Sequence, residues 1–405
     1  MENGSSERSP IKIPFPIDYI YLINLTFNMS SINLFIFGAG ASKADHIPLQ
    51  NELISEILNL LETSKDIHKY PSINSLKNFL RKMYPIAKES QSSILYPTFE
   101  EILGLLQFAL DRDESFKGFS QEQLGEFIKL ISALMAVVIE EKAIISNKVN
   151  EKFITELFES FKRQQQDLKS DKIMEKFAKE NFFLNINYDT LLDKALDNLT
   201  YQYGGINSID FCLEIKDSNI PSKDIKLFKP HGTLNLLICK SCGIKTIGGP
   251  LNIGFEYFKS LIIPGFGLNN CPHCKVKKYA IIIPPTFFKE LNNVLIRNVL
   301  INLEEHLKEV QNLIFIGYSF PEADLHLKYV FKKAQLFGGF KKIILIDRYD
   351  EKKLQKDCPY FYNIKRSFPG VELVDLTYEI PLPNGLAENS IEEIIDHLSK
   401  HIYGS

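Results

Sequence analysis

Four cysteines in two closely spaced pairs point most directly to a chemistry. Cys239 and Cys242 form the first pair, Cys271 and Cys274 the second, and two residues separate the members of each pair. Thiolates at this spacing can close a tetrahedral zinc site, and the alternatives are disulfides or free thiols. Because four thiolates leave no open coordination position, we expect a structural zinc ion that holds a small ribbon together and activates no water.

Polar side chains at two further places are candidates for acting on a ligand. Asn187 and Asp189 end an apolar run that starts at Phe182, where a doubly wound sheet keeps its ligands. His231 follows another apolar run and precedes Gly232. Asp189 has the alternative role of capping the next helix, and His231 that of a packed histidine whose polar atoms are satisfied.

A glycine-rich turn offers a place for a phosphate. The apolar residues 34–37 predict a strand that runs into Gly38, Ala39, Gly40 and Ser42. Glycines let the backbone approach a pyrophosphate, and Ser42 with the following N–H groups supplies donors at a helix N-terminus. A tight turn without a ligand is the alternative, because the third glycine of the dinucleotide fingerprint is absent.

The elements that must position these residues alternate between strands and helices. Further strands are predicted at residues 313–316, 343–346 and 371–376, and an amphipathic helix at 391–402. The predicted fold is α/β, a Rossmann-like doubly wound parallel sheet with an inserted helical region and a small zinc-ribbon module. The predicted segments are 1–48 for the start of the Rossmann domain, 49–178 for the helical insertion, 179–238 for the catalytic motifs, 239–274 for the zinc ribbon and 275–405 for the completion of the domain.

Composition limits the class of protein. The chain has 405 residues, of which 45% are hydrophobic and 24% charged, so we expect a soluble globular protein. Its net charge of −3 argues against an electrostatic nucleic-acid binder. Its apolar runs are short for a membrane span, and no secretory signal is evident, so the predicted location is the cytoplasm.

The order of the motifs resembles the sirtuin superfamily. The corresponding segments are Gly38-Ala39-Gly40-Ala41-Ser42, Asn187-Tyr188-Asp189, His231-Gly232, the two cysteine pairs and Gly317-Tyr318-Ser319. This resemblance spans about residues 32–350 and implies a Rossmann-like NAD-binding domain with a smaller zinc-ribbon and helical module. The nicotinamide end of NAD would lie between the two.

The resemblance also implies roles for the polar residues. Asn187 would hold the nicotinamide ribose and orient a water, and His231 would act as base on a ribose hydroxyl or on that water. Asp189 would hold the carboxamide unless it only caps the next helix.

Later residues would complete the cofactor site. Gly317 and Ser319 would approach the ribose and phosphates, and Asp347 would take the adenosine ribose hydroxyls at the end of its strand. Asp324 and His326 are expected to be helix-start and surface residues and not ligands.

Two departures indicate a branch of the superfamily. The segment after Pro48 lacks the acidic-aromatic-basic end found in protein deacylases, and residues 283–287 read Ile-Pro-Pro-Thr-Phe where deacylases carry Phe-Gly-Glu. The motifs look like those of bacterial sirtuin-like domains in anti-phage systems. We therefore expect an NAD hydrolase that depletes NAD, gated by homo-oligomerisation or by a partner such as a co-encoded ATPase. The alternatives are an NAD-dependent protein deacylase and a non-catalytic NAD-binding subunit.

Overall fold

The computed structural model describes residues 31–64, 70–84, 97–165, 168–206, 208–215, 224–239, 241–243, 245–247, 253–263, 270–276, 278–282, 293–347, 359–379, 386–387 and 390–403. The strands are β1 (Asn33–Phe37), β2 (Asn181–Asn185), β3 (Ile209–Asp210), β4 (Ile225–Phe228), β5 (Gly232–Cys239), β6 (Lys245–Ile247), β7 (Lys278–Ile282), β8 (Asn312–Ile316), β9 (Lys342–Ile346) and β10 (Glu372–Asp375). The helices are α1 (Ala39–Lys43), α2 (Gln50–Thr63), α3 (Pro71–Met83), α4 (Phe99–Asp111), α5 (Gln121–Ile144), α6 (Val149–Arg163), α7 (Ser170–Glu180), α8 (Leu191–Tyr203), α9 (Ile253–Ile262), α10 (Val294–Leu307), α11 (Leu325–Leu336), α12 (Pro359–Ser367), α13 (Leu376–Glu379) and α14 (Ile391–Tyr403).

Seven strands form a parallel sheet in the order β10-β9-β8-β1-β2-β4-β3. The chain builds outward from β1 through β2 on one side and then returns to place β8 on the other. The direction of winding therefore reverses between β1 and β8, which makes this the switch point of a doubly wound sheet. The predicted α/β Rossmann-like sheet is confirmed. The last predicted strand is shorter than expected, because α13 begins at Leu376.

Side-chain alternation along β1 supplies both faces of this sheet with core residues. Phe35 and Phe37 lie in one apolar cluster with residues of α6, α7, α8 and α14, whereas Leu34 and Ile36 lie in another with residues of α10 and α11. All five residues of β1 are buried. Central strands of parallel sheets carry such uninterrupted apolar runs because helices cover both faces.

The predicted helical insertion divides between two cores. Residues of α2, α3, α4, α5 and α9 form a third apolar cluster. Helix α6 and most of α7 also fall within residues 49–178, but they belong to the sheet cluster that contains Phe35. The third cluster includes Tyr188 and Leu234, so the helical module packs directly against the loop and strand that carry the candidate site residues.

Helix α5 is the long element of this helical module. It has 24 residues, and residues 130–140 are buried without interruption. Apolar residues between Leu124 and Val138 recur at helical spacing and predict a buried face. That burial is confirmed, and the other helices of the module pack around it. Among the residues that the structure describes, no helix has both the length and the apolar character needed to cross a membrane.

A separate three-stranded antiparallel sheet, in the order β6-β5-β7, continues directly from the His231 turn. Strand β5 begins at Gly232, whose φ of +81° suits glycine, and ends at Cys239. The second cysteine pair precedes β7. One short strand therefore links the candidate histidine to the cysteine cluster.

Three glycines let two backbone segments touch at the switch point. The Gly38 N–H donates to Ile316 O at 3.0 Å, and the Gly40 N–H donates to Gly317 O at 2.8 Å. A Cβ atom on Gly317, which has a φ of +58°, would lie 2.2 Å from the Ala41 nitrogen. These glycines are therefore required by the contact between the loops that follow β1 and β8, whatever ligand binds there.

We predict that Gly317→Ala destabilises the fold more than Gly338→Ala. Both glycines have positive φ, but a Cβ on Gly338 meets no atom within 4 Å. The control should lose about 1–2 kcal/mol for the left-handed backbone alone. Gly317→Ala should lose about 1–3 kcal/mol more because its methyl group clashes with backbone. Urea unfolding measures both values, and equal losses would contradict the packing explanation.

Candidate functional site

Asn187 lies at the carboxyl edge of the large sheet, beside the switch point. The preceding Ile186 N–H donates to Phe37 O at 3.0 Å, and the Asn187 N–H donates to Asn185 Oδ1 at 2.9 Å. The Asn187 side-chain Nδ2 donates to Gly38 O and to Ser42 Oγ, both at 2.8 Å. The structure thus brings three residues of the predicted site, Asn187, Gly38 and Ser42, into one hydrogen-bonded group.

These bonds fix which end of the Asn187 amide faces outward. A backbone carbonyl only accepts, so Nδ2 must face Gly38 O, and both of its protons are then used. Asn187 Oδ1 makes no hydrogen bond to any residue that the structure describes, and the residue is only partly buried. The side chain therefore presents a neutral acceptor to whatever binds at this edge.

A chain of hydrogen bonds through Ser42 to Asp189 holds the Asn187 side chain in place. The Ser42 hydroxyl donates to Asp189 Oδ2 at 2.7 Å, which leaves its lone pairs to accept from Asn187. Asp189 Oδ1 accepts from the Leu191 N–H at 3.1 Å at the start of α8. Burial raises the pKa of the Asp189 carboxyl, while the Lys229 charge and the Ser42 hydroxyl act in the opposite direction. The bond from the Leu191 N–H is one that the alternative role of Asp189, capping the next helix, requires. The Ser42 hydroxyl proton is used within the protein.

Lys229 anchors the turn that carries His231. Its ammonium group donates to Asp189 O at 2.7 Å and to Asp193 Oδ2 at 2.8 Å, and the residue is only 3% exposed. Asp193 also accepts from Asn235 Nδ2 on β5. The sequence signal for this ion pair is a lysine directly after an apolar strand, together with an aspartate on the preceding helix.

His231 is buried and its Nε2 atom faces two polar side chains from α11. It lies 3.2 Å from His326 Nε2 and 3.4 Å from Asp324 Oδ1. The ring of Tyr188, next to Asn187 in sequence, lies 6.4 Å from the His231 ring. His231 is thus a packed histidine, and its polar atoms lie in a cluster of titratable groups.

The expectation for Asp324 and His326 is confirmed for the helix start and wrong for the surface position. Asp324 does stand at the start of α11, but its side chain makes no capping bond, and the residue is buried. Its Oδ2 accepts from the Tyr318 hydroxyl at 2.6 Å. Burial and the Asp324 charge raise the pKa of Tyr318 well above its usual value. His326, in the first turn of the helix, is half-buried.

The remaining predicted cofactor residues lie around the switch point. Gly317 donates its N–H to Ile346 O, and Asp347 follows directly, its own N–H bonded to Thr377 Oγ1. Ala39 opens the short helix α1, and Ser319 is exposed. The segment 283–287, which the sequence analysis treats as a departure from the deacylase pattern, lies outside the described residues.

The four cysteines of the two pairs converge at one end of the small sheet. The Sγ atoms of Cys239 and Cys274 are 3.3 Å apart, those of Cys242 and Cys271 are 3.4 Å apart, and those of Cys242 and Cys274 are 3.7 Å apart. A disulfide requires about 2.05 Å, so these four thiols are not paired. Sulfurs around a tetrahedral zinc ion lie about 3.7 Å apart, and the donor set fits that ion.

Backbone N–H groups in the cysteine turns favour the thiolate form. Bonds from the N–H groups of Cys274 and His273 lower the pKa of Cys271 to about 6, although desolvation opposes them. The Cys242 N–H similarly lowers the pKa of Cys239. Both turns are therefore shaped for a cation. Cys212, elsewhere in the fold, is buried and directs its thiol to Asp210 O at 3.5 Å, and Cys358 lies outside the described residues.

Comparisons with known proteins give similarity to solved structures and to nothing else. No protein-family model and no curated protein sequence matches the chain. The chain is similar to a crystal structure of Sir2 in complex with the inhibitor EX-527, 2′-O-acetyl-ADP-ribose and deacetylated p53 peptide. The identity is 14%, the match covers 93% of this chain and 96% of that one, and the TM-score is 0.31. At that score the similarity adds nothing to the chemistry of the site, which depends on its own residues.

We predict that Lys229→Ala destabilises the protein by about 3–5 kcal/mol, because it leaves the buried Asp193 carboxylate without its partner. Lys43→Ala is the matched control, since Lys43 pairs with Glu52 on the surface and such pairs contribute about 1 kcal/mol or less. Chemical unfolding of both variants compares the two losses. A loss at Lys229 as small as the control would show that the buried pair does not hold the turn.

Proposed function

We propose that this protein is an NAD hydrolase that cleaves the nicotinamide–ribose bond to give nicotinamide and ADP-ribose. The observation that carries the proposal is the fixed Asn187 amide, which presents its oxygen at the switch point of a doubly wound sheet. Dinucleotides bind at such points in this class of fold. The motif order, which resembles that of sirtuins, gives independent support.

The chemistry follows from the charge that develops as the bond breaks. Departure of nicotinamide leaves an oxocarbenium-like sugar, which is stabilised by oriented acceptors and opposed by nearby cations. Asn187 Oδ1 is such an acceptor, and it would hold a ribose hydroxyl or the attacking water. The nearby Lys229 ammonium is bound by Asp193, so its charge is compensated.

His231 would accept the proton that the reaction releases. The water supplies OH to the sugar carbon, and its proton passes to the base directly or through a ribose hydroxyl. Because Nε2 faces Asp324, the proposed accepting atom is Nδ1, with the Nε2 proton held toward the carboxylate. A buried aspartate in this position stabilises the imidazolium that forms.

The rest of NAD would lie along the carboxyl ends of the strands. We assign Gly38, Ala39 and Gly40 to the phosphate turn and Gly317 to the ribose and phosphates, as the sequence predicted. Ser319 would contribute its exposed hydroxyl, and Asp347 at the end of β9 would take the adenosine ribose hydroxyls. The Asp189 side chain is engaged by Ser42 and Leu191, so its contribution to the carboxamide would be indirect, through Asn187.

The cysteine cluster would hold a structural zinc ion. When bound by Cys239, Cys242, Cys271 and Cys274, zinc cross-links β5 to the segment before β7 and leaves no position for a substrate. These residues therefore fix the end of the strand that starts beside His231, and the reaction itself uses none of them.

NAD hydrolysis in a living cell requires control. An enzyme of this kind that was always active would exhaust the NAD of its own host. We propose that the activity serves anti-phage defence by NAD depletion and is gated by homo-oligomerisation or by a partner subunit, such as a co-encoded ATPase. The resemblance to sirtuin-like defence proteins supports this biological role.

We predict that His231→Ala lowers kcat for NAD hydrolysis by about 10²–10⁴-fold, as expected when a general base is removed. Asn187→Ala should also abolish measurable turnover, because it removes the acceptor that positions the reactants. His397→Ala is the control, since His397 is half-buried on α14, where its Nδ1 bonds to Glu393 O, and this variant should retain wild-type turnover. Nicotinamide release is measured by chromatography, with circular dichroism to verify folding. Full activity in Asn187→Ala or His231→Ala would contradict the mechanism.

We predict that the cysteine cluster loses its metal only when the pH falls below about 6, because bound metal opposes protonation of the thiolates. The folded protein lowers the pKa of Cys271 to about 6 from 9.0, so thiolate stabilisation is present at high pH and is lost as that group protonates. Cobalt reports the process, because its thiolate charge-transfer absorption should disappear below that pH. Cys242→Ser should lack that absorption at neutral pH and unfold at a lower temperature. Retention of the band in the serine variant would overturn the assignment.

A further inference from the structure

A second group of potential metal ligands lies apart from the cysteines. It consists of His231, Asp324 and His326, and their ligand atoms all lie within 4.8 Å of one another. We propose that these three side chains bind a zinc ion, and that the bound ion holds the hydrolase inactive. The inhibitory part rests on the proposed function, whereas the binding part does not.

Two of the three separations match those around one tetrahedral ion, and the third is no more than 4.8 Å. Zinc lies about 2.0–2.1 Å from a histidine nitrogen and 2.0–2.2 Å from a carboxylate oxygen, so adjacent ligand atoms are about 3.3–3.5 Å apart. The two Nε2 atoms are separated by 3.2 Å and His231 Nε2 lies 3.4 Å from Asp324 Oδ1. Two histidines and one carboxylate are a ligand set that zinc uses when a fourth position stays open.

The surroundings of the carboxylate favour a ligand role. Asp324 is 4% exposed, and its Oδ2 accepts from the buried Tyr318 hydroxyl, which turns Oδ1 toward His231. Ligating carboxylates are commonly held by such an outer hydrogen bond. The position of Asp324 on α11 adds nothing to helix capping. His326, two residues later on the same helix, reaches the same point.

Zinc binding would change which ring nitrogen of His231 carries the proton. A neutral imidazole carries one N–H and one lone pair. With Nε2–H held toward Asp324, the lone pair is on Nδ1 and can accept a proton. With zinc on Nε2, the proton moves to Nδ1, which then donates and cannot act as a base. The same ring therefore supports either metal binding or the proposed hydrolysis.

Metal stoichiometry of the full-length protein tests the binding site. After dialysis at buffered free Zn²⁺, elemental analysis should give two ions per wild-type chain. His326→Ala and Asp324→Asn should each bind one, and His397→Ala, a control on α14, should bind two. Tyr318→Phe should bind the second ion about 10–100-fold more weakly. One ion in the wild type would overturn the site in favour of a simple histidine–histidine hydrogen bond. Two ions in a folded His326→Ala protein would overturn it as well, because the second ion would then bind without His326.

Cobalt separates the two sites spectroscopically. The first Co²⁺ should produce thiolate charge-transfer absorption, and the second should add ligand-field bands without it. The second set should disappear in Asp324→Asn and persist in Cys242→Ser. If the second ion instead raises the thiolate absorption, it binds cysteines and the proposal fails.

Turnover of NAD at the same zinc concentrations tests the inhibition. Hydrolysis by the wild-type protein should fall as the second ion binds, with half-inhibition at the concentration that half-fills the site. Unchanged or increased hydrolysis on filling would overturn the inhibitory role. Absence of hydrolysis in every metal state would instead count against the proposed function, while the stoichiometry would still decide whether the site exists.

Discussion

The close contact between the loops after β1 and β8 is the constraint on which the rest of the site depends. Gly38 and Gly40 bond to the backbone of Ile316 and Gly317, and no Cβ fits between these segments. The first loop then provides Gly38 O and Ser42 Oγ as partners for Asn187. The second sends Tyr318 toward Asp324. One backbone contact therefore positions both the amide and the carboxylate of the candidate site.

The histidine is held by different means. His231 follows Lys229, whose buried ammonium bridges Asp189 O and Asp193. It also precedes β5, which ends in the cysteine cluster. The helical module adds a third support, because Tyr188 and Leu234 lie in its core. Elements that look like separate modules in the sequence thus converge on one imidazole.

The sequence predicted those parts of the fold that are encoded by short runs of neighbouring residues. Apolar runs marked β1, β8 and β9, and the spacing of the paired cysteines indicated a cluster. The site at His231 was incomplete, because Asp324 meets it only through the path of the chain after β8, where Gly317 and Phe320 both have positive φ. From the sequence alone, an aspartate at a helix start is interpreted as a capping residue, because the path of the chain before it is not known. The sequence likewise predicted a helical stretch over residues 49–178, but it does not say that α6 and α7 pack on the sheet and not in the helical module.

The glycines illustrate a further limit of sequence reasoning. A glycine-rich turn after a strand suggests room for a phosphate, and Gly38 and Gly40 fit that pattern. In the structure the same residues are required by the neighbouring backbone, and the Gly40 N–H is already bonded to Gly317 O. A glycine-rich turn therefore indicates that some group approaches the backbone closely. The three-dimensional arrangement identifies the backbone of Gly317 as one such group.

The most direct test of the proposed hydrolysis is the identity of the products formed when the purified protein meets NAD alone. We expect nicotinamide and ADP-ribose in equal amounts, at a rate that added acylated peptide does not change. Nicotinamide release that occurs only with acylated peptide and yields acyl-ADP-ribose would contradict the proposal and identify the site as that of a deacylase.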